Sequence, residues 1–346
     1  MTLPSFFDDP RRPDETLRGG KRLTPVDADA ATRGYTGPVF PLLGVPVPDL
    51  LRFRGITVQG AQGFGKTLLI LQQIAPVLKM MAAPFNKQKL IIVDVKGQLT
   101  SAVLGMKRVM CPGAPLYLLN PFDQFSHALD PDEFASDPTR IAQLVHALTH
   151  RKRDARTDDF FDSSARGHLI DLVKVLQTRV RGRWTWRTLS LIATSYDLLE
   201  RVLENSRIGR RKADKIVKKT FAGVVSTIES WLDQYAAAFA CWDKSPTFTI
   251  EKFLRGSGVL ILTVPENQTE TLSPITRLVM RIVKDQLLTD TGVDPLSFAT
   301  VVFDEFADLG GDLTEVIYPF FRRARSANVA LLLAWQSWPD VCNSHE

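Results

Sequence analysis

Continuous apolar runs alternate with helical periodicity along most of the chain. Short runs without polar interruption predict strands that are buried on both faces, as in a parallel sheet. The strands predicted from apolar runs are residues 89–95, 114–119, 258–264, 300–303 and 329–334, and a short β-rich run predicts a further strand at 54–59. Apolar residues at helical spacing predict helices at 67–81, 271–288 and 314–324. Strands and helices in this alternation are typical of an α/β fold with a parallel sheet.

The middle of the chain has a different pattern. Continuous apolar runs disappear between about residues 131 and 253, and helical spacing returns. The helices predicted there are residues 139–149, 163–178, 188–203 and 215–241. The first 50 residues are rich in Pro, Gly and Asp, which predicts an irregular arm with a short hairpin around 37–47. The domains predicted from this pattern are an arm at 1–50, a first sheet-forming part at 51–130, an all-α insertion at 131–253 and a second sheet-forming part at 254–346.

Composition narrows the class of protein. Hydrophobic residues make up 45% of the 346 residues and charged residues 23%, which excludes wholesale disorder. No apolar run approaches the 18 or so residues of a transmembrane helix, and the N-terminus has acidic residues where a signal peptide would begin with basic ones. The three cysteines form no metal-binding pattern. We therefore expect a cytoplasmic chain.

Positive charge is concentrated in one segment. Residues 151–219 contain 18 Lys and Arg against nine Asp and Glu, although the whole chain has a net charge of only +5. A local basic surface is expected where a protein meets a polyanion, but an arginine-rich solvated helical region would have the same composition. Trp184 and Trp186 lie within this segment, where stacking on nucleic-acid bases and ordinary core packing are the two alternatives.

A glycine-rich motif follows the first predicted strand. The segment GAQGFGKT begins at Gly60 and matches G-x-x-x-x-G-K-[ST] immediately before a predicted helix. Gly60, Gly63 and Gly65 allow main-chain N–H groups to approach phosphates closely, and the helix start adds partial positive charge. Lys66 is predicted to bind the β- and γ-phosphates, and the Thr67 hydroxyl is predicted to hold Mg²⁺. The motif predicts a site for ATP and Mg²⁺.

An acidic pair and a later glutamine complete this constellation. Asp304 and Glu305 follow an apolar strand, at the end where open parallel sheets bind ligands. Asp304 is predicted to engage Mg²⁺ through water, and Glu305 to activate the attacking water as a general base. Gln336 follows the next predicted strand and is a candidate sensor of the γ-phosphate. Taken alone, the pair could instead cap a helix, and Gln336 could be an ordinary strand end.

Two further cations each have two interpretations. Arg325 belongs to a cluster that also contains Arg322 and Arg323, at the end of a predicted helix. It could reach the γ-phosphate of a neighbouring subunit, or the cluster could simply pair with the helix C-terminus. Lys96 lies in the turn after the second predicted strand, where it could contact phosphate or nucleic acid or be an ordinary turn lysine.

Six segments, in this order, resemble the TraG/TraD-type coupling proteins of bacterial conjugation and type IV secretion. They are GAQGFGKT, DVKG at 94–97, LNPFD at 119–123, the FF…A segment at 160–165, FDEFADLG at 303–310 and RSANVALLLAWQS at 325–337. The resemblance spans roughly residues 50–340. It implies a P-loop NTPase whose RecA-like, mostly parallel sheet is flanked by helices and interrupted by an all-α insertion domain.

The resemblance also implies a function and a set of partners. Members couple ATP hydrolysis to feeding DNA or protein–DNA substrates into a secretion channel. The residues that carry over are Lys66, Thr67, Asp304, Glu305 and Gln336, with Arg325 as the interface arginine of a homo-hexamer. The expected partners are DNA, in single-stranded form, through the basic block at 151–219, a relaxase or other secretion substrate, and components of the channel. A peripheral location at the inner face of the bacterial inner membrane would fit this role.

The chain departs from the family pattern at both ends. Typical members have an N-terminal pair of membrane helices, which this sequence does not contain, and the chain stops ten residues after Gln336, so we expect the second sheet-forming part to be incomplete. Two alternatives follow. The chain could be another hexameric P-loop DNA motor of the FtsK/HerA kind, or a truncated nucleotide-binding protein without motor activity.

Overall fold

The described part of the chain divides into two units. In this computed structural model it comprises residues 30, 36, 39–42, 45–48, 52–53, 55–83, 87–149, 159–206, 218–289, 297–305 and 314–336. The two units are Met1–Leu51 and Arg52–Glu346. In the first unit, strands β1 (Val39–Leu42) and β2 (Val45–Pro48) form an antiparallel hairpin. This confirms the predicted hairpin, while most of the predicted arm at 1–50 lies outside the described residues.

The second unit is organised around a parallel sheet. Its described strands are β3 (Ile56–Gln59), β4 (Lys87–Asp94), β5 (Leu116–Leu119), β6 (Ala128–Leu129), β7 (Thr247–Phe248), β8 (Gly258–Thr263), β9 (Ser297–Asp304) and β10 (Val329–Trp335). Six of them form one sheet in the order β3-β10-β9-β4-β8-β5, and every neighbouring pair is parallel. All six predicted strands are confirmed. Strands β8 and β10 are buried at every position, as expected for a sheet covered on both faces.

Helices account for most of the remaining described residues. They are α1 (Lys66–Met81), α2 (Gln98–Met110), α3 (Pro131–Phe134), α4 (Pro138–Leu148), α5 (Asp159–Arg179), α6 (Trp186–Ala193), α7 (Tyr196–Glu204), α8 (Lys218–Trp242), α9 (Ile250–Arg255), α10 (Thr269–Thr289) and α11 (Thr314–Arg323). Among the described residues, no helix is both long and apolar enough to cross a bilayer.

Two helical predictions need correction. Helix α2 was not predicted, although its Leu99, Val103, Met106 and Met110 recur at helical spacing and pack in or against the core cluster. The single helix predicted at 188–203 is two helices, α6 and α7. The break falls at Thr194 and Ser195, where the Ser195 hydroxyl accepts a hydrogen bond from the Leu198 amide and begins a new helix.

Helices α1 and α2 cover one face of the sheet. Ile70, Ile74 and Leu78 of α1 are fully buried and pack in one cluster with Ile92 of β4 and Val302 of β9. Full burial of an aliphatic side chain contributes about 1.5–3 kcal/mol. This packing fixes the helix that carries the glycine-rich motif against the strands that carry the acidic pair.

The described residues between β6 and β7 form helices and no strand. Strands β6 and β7 pair in parallel, so the two ends of the helical segment lie side by side. Trp186 lies in the core of this segment, with its ring 5.4 Å from that of Phe239, and Trp184 is also buried. Both rings are therefore core residues, and neither is open for stacking on a base. The domain boundaries at 130/131 and 253/254 stay predictions.

Candidate nucleotide-binding site

A cavity of about 890 Å³ lies at the carboxyl ends of the strands. Because the strands are parallel, the segments that follow them meet at the same edge of the sheet. The lining residues are Ala61, Gln62, Gly63, Gly65, Lys66, Thr67 and Leu68 after β3, Val95, Lys96 and Gln98 after β4, Pro265 and Glu266 after β8, Asp304 and Glu305 at the end of β9, and Gln336 after β10. Five strands thus contribute to one site.

The glycine-rich loop wraps the start of α1. Gly63 and Gly65 have φ angles of 83° and 80°, the left-handed region that glycine adopts without steric penalty. The Gly60 amide donates a hydrogen bond to the carbonyl of Trp335 (3.3 Å), which ties the loop to the end of β10. The Lys66 ammonium donates to the Gly60 carbonyl, so this cation is folded back over its own loop.

The first turn of α1 is suited to an anion. Its N-cap residue is Gly65, which has no side chain to accept a hydrogen bond from the first amides, and the first turn contains no acidic residue. Four N–H groups at a helix start lack intrahelical partners, and the helix dipole places partial positive charge there. Backbone amides, the dipole and Lys66 together form the donor set that phosphates require.

The acidic pair lies directly beside this loop. Asp304 is the last residue of β9, and both Asp304 and Glu305 are almost completely buried. Glu305 has a φ of 58°, which is unusual for a residue with a side chain. One oxygen of its carboxylate, Oε1, accepts a hydrogen bond from the Gln336 amide (3.1 Å), and Oε2 accepts one from the Lys96 ammonium (3.0 Å).

The electrostatics of Asp304 favour a bound cation. The pKa of Asp304 is raised to about 6, first by burial and then by the neighbouring carboxylates of Asp94 and Glu305, against the opposing charges of Lys96 and Lys66. Asp94 Oδ1 is buried and accepts no hydrogen bond among the described residues. Carboxylate and hydroxyl oxygens are the ligands that Mg²⁺ prefers, so Asp304 and the nearby Thr67 fit a magnesium ion.

The structure brings together most of the residues predicted from the sequence. Gly63, Gly65, Lys66, Thr67, Asp304, Glu305 and Gln336 all line the cavity. Gly60 begins the loop, and its amide is hydrogen-bonded to the Trp335 carbonyl at the end of β10. Arg325 lies elsewhere: it is exposed, in a 3₁₀ turn (Ala324–Ala327) that precedes β10, whereas the cavity lies beyond the other end of that strand. Its predicted role toward a neighbouring subunit stays a prediction.

Some lining residues were missed by the sequence analysis. Gln98, Pro265 and Glu266 were not singled out, and both interpretations of Lys96 had been left open. The signal that could have found them is position, because each lies within a few residues of the end of a predicted apolar strand. In the structure, the Lys96 ammonium forms an ion pair with the Glu305 carboxylate.

Solved structures with the same fold include those of the plasmid coupling protein TrwB. The complex of TrwB with ADP and Mg²⁺ superposes with a TM-score of 0.68 at 19% identity, over 94% of this chain and 73% of that chain. A trigonal form of the conjugative coupling protein TrwBdeltaN70 in complex with sulphate gives a TM-score of 0.67 at 18% identity, over 96% and 77% of the two chains. No curated protein matches the chain significantly. The parallel sheet flanked by helices is therefore the RecA-like P-loop fold of these proteins.

A family model identifies the chain more directly. The model of the type IV secretion-system coupling protein DNA-binding domain matches residues 40–341. This range includes all six strands of the parallel sheet, the helical segment and every residue that lines the cavity. The chain belongs to the family of type IV secretion-system coupling proteins, over the region of their DNA-binding domain.

Proposed function

We propose that this chain binds ATP with Mg²⁺, hydrolyses it, and uses the energy to move DNA or a protein–DNA substrate toward a type IV secretion channel. One observation carries the proposal. The phosphate-binding loop and the acidic pair, which are far apart in sequence, line a single cavity. Lys96 and Glu305, which are in contact there, are 209 positions apart.

Each lining residue has a chemical task in hydrolysis. The amides at the start of α1 and the Lys66 ammonium bind the phosphates, and Lys66 exchanges the Gly60 carbonyl for a phosphate oxygen. Glu305 takes a proton from the attacking water. At the same time the water oxygen bonds to the γ-phosphorus, and the bond between that phosphorus and the ADP oxygen breaks. Gln336 adjoins Glu305 and contacts the transferred phosphate.

Magnesium would be held by Thr67 and Asp304. A bound Mg²⁺ supplies charge neutralisation for the phosphate oxygens during their transfer. Related structures support the binding of a nucleotide here, since TrwB has been solved with ADP and Mg²⁺ and with the non-hydrolysable ATP analogue ADPNP. TrwB has also been solved with the GTP analogue GDPNP, so GTP belongs in any test of specificity.

DNA binding is proposed through the basic segment at 151–219. The family model that matches this chain is that of a DNA-binding domain. In the described part of the segment, Arg179, Arg181, Arg183 and Arg187 are exposed around the turn between α5 and α6. Cations grouped on one exposed turn are suited to phosphate oxygens. Residues 151–158 and 207–217 of the segment lie outside the described residues.

The wider assembly is also part of the proposal. We propose a homo-hexamer in which Arg325 of one subunit reaches the phosphates bound by the next, in keeping with its exposed position away from its own cavity. A relaxase or other secretion substrate and channel components would be the protein partners. The expected location is cytoplasmic and peripheral, at the inner face of the bacterial inner membrane.

The test is ATP hydrolysis by the purified chain, with and without Mg²⁺ and single-stranded DNA. We expect hydrolysis that DNA stimulates and that falls to a small residual rate in Lys66→Ala and in Glu305→Gln. The matched control is Lys107→Ala, because Lys107 lies in α2 and donates to the Pro112 carbonyl outside the cavity. Hydrolysis at the normal rate in either cavity variant would refute the proposed site.

A further inference from the structure

Glu305 is held from both sides of its strand. Strand β9 lies between β10 and β4 in the sheet. Gln336, directly after β10, donates its backbone amide to Glu305 Oε1 at 3.1 Å. Lys96, two residues after the end of β4, donates its ammonium to Oε2 at 3.0 Å. Each carboxylate oxygen is therefore bound by a donor from a different neighbouring strand.

The contact with Lys96 is the stronger of the two restraints. A hydrogen bond between ionised partners is roughly twice as strong as one between neutral groups. The side chains of Lys96 and Glu305 are 24% and 5% exposed, so water screens this pair only weakly. Loss of the cation would leave a buried carboxylate with one neutral donor, free to rotate away from that position.

The turn that carries Lys96 is itself fixed. Val95 is buried at its start, and Gly97 adopts the left-handed conformation (φ 69°) from which α2 begins. The Asp94 carboxylate accepts hydrogen bonds from both the amide and the hydroxyl of Thr100, in the first turn of α2. A side chain mounted on such a turn can hold a partner in one orientation.

We propose that Lys96 is a positioning residue for Glu305, which fixes the carboxylate in the orientation required to accept a proton from the attacking water. The inference rests on the proposed function, because it takes Glu305 to be the general base. It assigns Lys96 to the rate of hydrolysis and not to nucleotide affinity. Lys66, the other lysine that lines the cavity, is assigned to nucleotide affinity, because its ammonium is folded over the phosphate-binding loop.

The experiment is a double-mutant cycle on the full chain. ATP hydrolysis is measured for the unmodified chain, Lys96→Met, Glu305→Gln and the double variant, and Kd for ADPNP is measured for all four. We expect Lys96→Met to lower kcat tenfold or more, since misplacing a reacting group by about 1 Å can lower a rate about 100-fold. KM for ATP and Kd for ADPNP should change less than about threefold, and in the Glu305→Gln background the second substitution should lower kcat less than about twofold.

Two further variants complete the design. Lys96→Arg keeps a cation within reach of Glu305 and should recover at least part of the lost kcat, whereas a merely structural role would not require a cation. Lys107→Met, in the same helix that follows the turn, should match the unmodified chain. Unchanged Kd for ADPNP shows that each variant is folded.

The possible results separate the two hypotheses. If Glu305→Gln hydrolyses ATP normally, the proposed function fails together with this inference. If Glu305→Gln retains only residual hydrolysis but Lys96→Met keeps its kcat, only the inference is overturned. It is also overturned if Lys96→Met mainly raises KM and Kd, or lowers kcat equally in both backgrounds, because either result would mean that Lys96 acts on the phosphates directly.

Discussion

Asp94 and Asp304 lie directly opposite each other, in register, as the last residues of neighbouring strands β4 and β9. Both carboxyl groups are buried, and their mutual repulsion contributes to the raised pKa of Asp304. Asp94 is engaged through Oδ2 with the start of α2, while its Oδ1 has no hydrogen-bond partner among the described residues. Asp94 thus stabilises the start of α2, whereas Asp304 lines the cavity.

The structural task of Asp94 can be tested by two substitutions. Gly97, the N-cap of α2, offers no side chain, so the Asp94 carboxylate supplies the acceptor for the first turn. Asp94→Ala should lower the free energy of unfolding by about 1–2 kcal/mol through loss of this cap. Asp94→Asn keeps an acceptor oxygen and removes repulsion with Asp304, so its loss should be smaller. Urea unfolding without nucleotide measures both, and equal losses in the two variants would contradict this account.

Nucleotide binding should stabilise the folded chain. A ligand at 100 times its Kd adds about 2.7 kcal/mol to the free energy of unfolding when it binds only the native state. We expect thermal unfolding to shift upward with ATP and Mg²⁺, and the shift to be strongly reduced when EDTA removes the metal. Lys66→Ala should show no shift, because the phosphates lose their cation, while Lys107→Ala should respond normally. A normal shift in Lys66→Ala would remove Lys66 from the phosphate site.

The exposed turn between α5 and α6 should contribute to DNA affinity. Replacing Arg181 and Arg183 together with alanine should weaken binding of single-stranded DNA. The slope of log affinity against log salt concentration should become shallower by about 0.7 for each phosphate contact that is lost. Arg255→Ala is the matched control, because Arg255 is exposed but lies in α9, outside the basic segment, and pairs with Glu251. Filter binding at several salt concentrations measures the effect, and equal slopes for the double variant and the control would contradict it.

Trp184 should contribute to stability and not to base stacking. Its Nε1 donates to Asp132 Oδ1 at 2.6 Å, and the other oxygen of that carboxylate accepts from the Gly182 amide at 2.6 Å. Trp184→Phe keeps a buried ring but removes a hydrogen bond to a charged acceptor, so the free energy of unfolding should fall by about 1.5–3 kcal/mol. Chemical unfolding and DNA binding are measured together. Reduced DNA affinity with unchanged stability would instead support stacking on a base.

Local pattern was sufficient to predict most of the strands and helices of this protein. Continuous apolar runs predicted five of the six strands of the sheet, since a strand covered on both faces needs apolar residues at every position. Strand β3, in which only Val58 is buried, was predicted from a short β-rich run. Gly60, Gly63 and Gly65 were predicted to let main-chain N–H groups approach phosphates, and two of the three, Gly63 and Gly65, have positive φ. The prediction missed α2, although Leu99, Val103, Met106 and Met110 recur there at helical spacing.

Only the tertiary structure decided which residues meet at the site. The sequence places Lys96 after one strand and Glu305 after another, but contains no signal that these strands are neighbours. That relationship depends on the order β10-β9-β4, in which β9 lies between strands that precede and follow it in the chain. Periodicity reports the burial of each segment separately, whereas strand order and register arise from packing between distant segments. The sequence by itself therefore determined the phosphate-binding loop and the acidic pair, and the fold decided that Lys96 would contact Glu305 and that Asp94 would lie beside Asp304.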